Sequence, residues 1–132
     1  MGPTGTQIMV DAFLENDMAC LEQLYICRNR IYAEGACHLA RLCDHIDTLQ
    51  VIDVSSNNIV GKGLHKLFDG LMRQTCLEKI NISDNTMKAE EIDARKALAH
   101  LIKTSRSLKT VNISDLLIED TPTQLMLMRS LL

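Results

Sequence analysis

The residues able to carry chemistry are dispersed along this chain. Its four histidines, His38, His45, His65 and His100, include no pair at metal-ligand spacing and no HExxH motif. His38 and His45 lie close to Cys37 and Cys43, so the residue types of a zinc site are present. Zinc needs three or four converging ligands, usually announced by short CxxC or HxxxH spacings. The stretch reads instead as a helix with two small thiols on its buried face and two histidines on its polar face. Gly61-Lys62-Gly63 puts a lysine between glycines, but it lacks the flanking spacing and the Ser/Thr of a phosphate loop. It reads as a turn. No Ser-His-Asp or Cys-His arrangement emerges, so the sequence predicts no self-contained active site, no cofactor and no metal.

The elements that must position the remaining polar residues announce themselves by repetition. "LEQLYICRNRI" (21–31) places Leu21, Leu24, Ile26, Asn29 and Ile31 in an apolar ladder interrupted by one asparagine. "LQVIDVSSNNI" (49–59) and "LEKINISDNTM" (77–87) repeat those offsets, with Asn57 and Asn85 in the asparagine slot. "LKTVNISDLLI" (108–118) repeats them again but carries Leu116 there. The leading leucines are 28, 28 and 31 residues apart. Four copies at that spacing are a leucine-rich repeat array.

Alternating apolar residues in each copy fit a short strand with one buried face. Stacked copies give a parallel sheet covered by the helical halves between them. At the bend after each strand, an asparagine amide has both donors and an acceptor for backbone groups that would otherwise be buried unpaired. Asn29, Asn57 and Asn85 are therefore structural.

The helical halves show one apolar face each: Leu39, Leu42, Cys43 and Ile46 in one, Leu64, Leu67, Phe68 and Leu71 in the next. A third surrounds "IDARKALAHLI", delayed by three extra residues, and a final one opens "DTPTQLMLMRSLL", with Asp120 or Thr121 as cap and Pro122 in its first turn. Residues 5–15 look like the helical half of an earlier repeat. The expected fold is α/β: one domain over 1–132, with a partial repeat at 1–20 and repeats starting near 21, 49, 77 and 108. It is a ribonuclease-inhibitor-like solenoid of about four parallel strands and about five convex helices.

Composition agrees with one packed domain: 132 residues, 46% hydrophobic and only 3% aromatic, so leucine, isoleucine, valine and methionine must build the core. Net charge is −3 with pI near 5.7, and there is no basic block, which argues against general nucleic-acid or membrane-surface binding. No apolar run approaches the ~18 residues of a membrane span. Five cysteines (20, 27, 37, 43 and 76), an odd number without a CxxC pair, suggest reduced thiols at core-like positions in an intracellular protein.

Partner-binding residues must then lie on the strand face and its turns. Tyr25, Asp53, Lys79, Asn81 and Asn112 project from strands, while Arg28, Arg30, Ser56, Asn58, Asp84 and Asp115 border the turns. The strip is basic in the first repeat and acidic in the later ones, which suits a protein partner.

"CRNRIYAEGACHLARL", "TLQVIDVSSNNI" and "LEKINISDNTM" resemble the middle repeats of Ran GTPase-activating proteins, over nearly the whole chain, and "GPTG" resembles the turn of an earlier family repeat. The most specific matches are "RNR" (28–30) and "DNT" (84–86); Leu116, the three-residue insertion and the lack of an acidic tail depart from the family. The resemblance implies GTPase activation in nuclear transport, in the cytoplasm and at the nuclear envelope, with a Ran-type small GTPase as partner. It implies partner contacts at Arg28, Arg30 and Asp84, and more weakly at Asp115. The asparagine implicated near the nucleotide would fall before Met1, so the segment would bind without supplying that residue. The alternative is a scaffold or inhibitor, ribonuclease-inhibitor-like or tropomodulin-like, that binds an unrelated protein. An end-to-end dimer through the terminal faces is also expected, because Leu125, Met128, Leu131 and Leu132 have no following repeat to cover them.

Overall fold

The structure is a computed structural model, and it describes residues 1–16, 20–88 and 91–116. Four three-residue strands, β1 (Gln23–Tyr25), β2 (Val51–Asp53), β3 (Lys79–Asn81) and β4 (Thr110–Asn112), form one parallel sheet in chain order. The helices α1 (Gly2–Glu15), α2 (Tyr32–Cys43), α3 (Gly61–Leu71) and α4 (Ile92–Thr104) alternate with them. Register follows the template: Leu24 pairs with Ile52, Ile52 with Ile80, and Ile80 with Val111. The expected leucine-rich repeat fold is present. The fifth expected helix, with its Asp120, Thr121 and Pro122 start, lies outside the described residues.

Leu24, Ile52 and Ile80 point from the strands into a core completed by Leu39, Leu42, Leu67, Phe68, Leu98 and Leu101 from the helices. The template's apolar positions are thus spent on packing. The glycines mark where helices touch. Gly35 and Gly63 lie inside the first turns of α2 and α3. A Cβ on Gly63 would stand 2.6 Å from Ala33 Cα, so this residue must be glycine for α3 to approach α2. The three extra residues of the third repeat delay its helix as expected: α3 begins 12 residues after Leu49, α4 begins 15 after Leu77.

The asparagines join one repeat to the next. Asn57, fully buried, donates from Nδ2 to its own Val54 C=O (2.9 Å) and to Ile26 C=O (2.9 Å) in the preceding repeat. Its Oδ1 accepts from Asn29 N–H (2.8 Å). Asn85 repeats the pattern: Nδ2 donates to Ile82 and Val54 C=O, and Oδ1 accepts from Asn57 N–H (3.2 Å) and Ile59 N–H (3.0 Å). Leu116 can make none of these bonds and is simply buried. At the other end of the strands Gln74 does comparable work, unforeseen in the sequence. It stands 28 residues after Ile46 in an apolar slot, accepts from Leu49 N–H (3.2 Å), and donates to Cys43 C=O (3.0 Å) and Ile46 C=O (2.6 Å).

Replacing Asn57 by alanine orphans several buried backbone groups and should destabilise the domain by roughly 1–3 kcal/mol. Its neighbour Asn58 makes a sharper control than a surface residue normally would, because it has φ 56°. Asn58→Gly should be nearly neutral, whereas Asn58→Ala should cost about 1 kcal/mol by forcing alanine into the left-handed region. Denaturant midpoints of the three variants test the order; equal midpoints for Asn57→Ala and Asn58→Gly would remove Asn57 from its ladder role.

Candidate functional site

Each strand leads into a turn whose backbone is set by the ladder. The N–H of Arg28 donates to Ser55 C=O, that of Ser56 to Ser83 C=O, and that of Asp84 to Ser114 C=O, at 3.1, 3.0 and 3.0 Å. These residues carry the chain round the bend at positive φ: 59° at Arg28, 54° at Ser56, 53° at Asp84 and 53° at Asp115. A second such position follows the asparagine, at Arg30 (51°) and Asn58 (56°), and Tyr32 (53°) opens α2 in the same region. Glycine and asparagine meet that demand with least strain; arginine and tyrosine do not. The sequence predicted polar turn residues here but not their left-handed backbone, although Asn58, Asp84 and Asp115 are of types that tolerate it.

All four expected partner-binding residues stand on this one row of turns. Asp84 and Asp115 come together, lining a shallow pocket of about 410 Å³ with Asn58, Asn85 and Thr86. Arg28 and Arg30 are not part of it: two strand spacings, or ~10 Å, separate their turn from that of Asp84. Both arginines are exposed, and neither has an ion-pair partner among the described residues. Other cations are paired: Arg41 with Asp11, Arg73 with Asp44 (3.3 Å) and Lys109 with Glu78 (3.1 Å). Tyr25 and Tyr32, the only tyrosines of the chain, are exposed beside the two arginines.

The concave row next to the turns is bonded to itself. Asp53, Asn81 and Asn112 are in register, and each side-chain oxygen accepts from the N–H and the hydroxyl of the serine two residues on (Ser55, Ser83, Ser114). Asn81 Nδ2 also donates to Asp53 Oδ2 (3.1 Å). The signal was available as "DVS", "NIS" and "NIS" at one template position. The first repeat departs from it: Tyr25 and Cys27 fill those slots, and both are exposed.

The chemistry-bearing residues stay apart. His45 Nδ1 contacts Arg41 C=O, His65 faces Asp69 across one helical turn, and no three His, Cys, Asp or Glu side chains among the described residues could hold a metal ion. Of the cysteines only Cys43 is buried; Cys20, Cys27 and Cys76 are exposed, so the expected core positions hold for one thiol and, half-buried, for Cys37. Burial, assisted by the charge of Asp44, pushes the Cys43 thiol up to about 12.

No family model matches the sequence. Among solved structures the chain is similar to leiomodin-1 actin-binding site 2, with TM-score 0.75 and 16% identity over 99% of this chain and 72% of that one. It is also similar to the tropomodulin C-terminal domain of Caenorhabditis elegans, with TM-score 0.62 and 12% identity over 95% and 90%. That likeness shows the fold, and it overturns the expected Ran-type GTPase partner, since these two solved domains are a leiomodin and a tropomodulin domain and neither is a Ran GTPase-activating protein. The reason lies in the turns. "RNR" and "DNT" flank the ladder asparagine at positions governed by repeat geometry, so their match reported the bend and not the partner. The expected end-to-end dimer rested on Leu125, Met128, Leu131 and Leu132, which lie outside the described residues.

Two outcomes follow from this geometry. Arg28→Gly with Arg30→Gly should leave the thermal midpoint unchanged or raise it, relieving up to about 1 kcal/mol of left-handed strain per site; a lowered midpoint would give the arginines a structural task. Brief alkylation of the native protein, read by mass spectrometry, should modify Cys20, Cys27 and Cys76 and spare Cys43 until the chain unfolds.

Proposed function

We propose that this chain is a protein-docking module of the tropomodulin and leiomodin type, and that its partner is actin. The observation that carries this reading is the similarity, over 99% of the chain, to a leiomodin-1 domain described as an actin-binding site. The surface supports it. The core consumes the apolar template positions and the concave Asx–Ser pairs satisfy one another, which leaves the turn row free to contact a partner. In the first repeat that row holds two exposed tyrosines and two exposed arginines that have no ion-pair partner among the described residues. Tyrosine and arginine are the residues that most often dominate the energetics of protein interfaces. No enzymatic step belongs to this reading: the module acts by binding, with Arg28 and Arg30 contacting acidic partner surface and Asp84 and Asp115 basic surface.

Sedimentation with actin filaments, together with titration of fluorescently labelled monomeric actin, tests it. The chain should bind one of the two forms. Arg28→Glu with Arg30→Glu should weaken that binding chiefly by slowing association, and the loss should shrink as salt is raised. Absence of binding to both forms at about 0.1 mM, where weak interfaces still register, would contradict the reading and leave the fold untouched.

A further inference from the structure

Large hydrophobic side chains reach solvent in few places, and three of them share one line. Of the seven exposed among the described residues, Tyr32, Val60 and Ile92 stand at the starts of successive helices. Tyr32 and Ile92 are the first residues of α2 and α4, and Val60 immediately precedes α3. They are 47%, 40% and 49% exposed, whereas the last template positions ahead of them, Ile31, Ile59 and Met87, are fully buried. The core has no use for these three side chains. The backbone beside them is nonetheless firm: Tyr32 N–H donates to Asn57 C=O (3.1 Å) and Thr86 N–H to Ile59 C=O (2.9 Å), tying each repeat to the next.

A notch lies on the same line. Between the starts of α3 and α4 an open cavity of about 570 Å³ is lined by Ile92 and by the small, buried Gly61 and Ala94. Its charged lining sets two lysines against two carboxylates and so favours neither sign. A bulky apolar side chain suits it better than an ion. Next to the stripe run the turn residues, and their charges are ordered. Arg28 and Arg30 stand in the first turn, uncharged Ser56 and Asn58 in the second, Asp84 in the third and Asp115 in the fourth.

We propose that stripe, notch and charged turns form one docking slot for a single linear segment of a partner protein. The proposal rests on reading the chain as a protein-docking module, and it names the chemistry of the segment that docks. One edge of that segment is apolar and lies along Tyr32, Val60 and Ile92, with a bulky side chain set in the notch. The other edge carries acidic residues over Arg28 and Arg30, then basic residues over Asp84 and Asp115. The charge order selects this arrangement, because the opposite one brings like charges together at both ends. The apolar anchor supplies most of the affinity, as a side chain desolvated in a pocket does.

The probe is a fluorescently labelled synthetic peptide that runs from glutamates through a leucine-rich middle to lysines, titrated with the full chain. Binding should be saturable by anisotropy and should shift the amide NMR signals of Gly61 and Ala94. A peptide with lysines in place of the glutamates should bind more weakly. In the protein, Val60→Asp with Ile92→Asp removes two exposed apolar groups while placing acidic residues where helix starts favour them. It should weaken peptide binding about tenfold or more, and unlike the loss from Arg28→Glu with Arg30→Glu, this loss should persist at high salt. If the aspartate variant does not fold, Val60→Ser with Ile92→Ser takes its place. No binding at about 0.1 mM, binding that leaves Gly61 and Ala94 unshifted, or equal binding by the folded variant overturns the proposal. Unlabelled actin separates this slot from the actin reading. Displacement of the peptide by actin supports both. Actin that binds while the peptide stays in place overturns the slot and keeps the actin reading, whereas a bound peptide with no actin binding supports the slot and contradicts actin as the partner.

Discussion

Everything in this fold depends on satisfying backbone groups at a bend that is buried. Every repeat must turn inward after a three-residue strand, and the turn exposes N–H and C=O groups to an interior of leucine and isoleucine. The side-chain amides of Asn57 and Asn85 answer this by bonding in both directions along the solenoid. Unpaired, such groups would each cost on the order of 1–3 kcal/mol, a serious fraction of a small domain's stability. Gln74 answers the same demand where the chain enters β2. Between these two amides the sheet register has no freedom to slip, because a one-residue shift would separate each donor from its carbonyl.

The surface inherits its geometry from that constraint. The residue before each ladder position, and in the first two repeats the residue after it, is driven to positive φ, so these side chains leave the backbone in a row along one rim. The rim is a poor place for large residues, yet the first repeat puts Arg28, Arg30 and Tyr32 there. Left-handed strain at non-glycine residues persists where surrounding structure enforces it and tends to accompany contact surfaces. The charge order along the rim, basic at the first turn and acidic at the third and fourth, gives a partner a direction as well as a place. Ion pairs such as Arg73 with Asp44, just past the ends of α3 and α2, are exposed and add little.

Much of this was legible in the sequence. The spacing of Leu21, Leu49 and Leu77 reveals the solenoid, and the alternation at Leu24–Ile26 reveals which strand face is buried, because both are periodic. The three-residue insertion was placed correctly for the same reason. Features that hinge on a single contact were not legible. Gln74 looks like a surface residue until Ile46 and Leu49 are brought against it, and Gly63 looks like a turn until Ala33 is. Cys27 and Cys76 look apolar by type and are exposed by position. The partner was misread for a physical reason: "RNR" and "DNT" are centred on a ladder asparagine, at positions set by the bend, so they describe backbone geometry before they describe recognition. The Asx–x–Ser triplets could have been found, since they recur three times at one template position.

The central claim is that asparagine side chains, and not packing alone, hold the turns. Native-state hydrogen exchange of the amides that donate to those side chains tests it most directly: Asn29 and Asn57, with Ile59 beside them. If the ladder carries the turns, the Asn57 and Ile59 amides exchange only when the whole domain opens, with the free energy of global unfolding, and Asn29 is protected well above a freely solvated turn amide. Exchange of Asn57 and Ile59 at the rate of freely solvated turn amides would contradict the account.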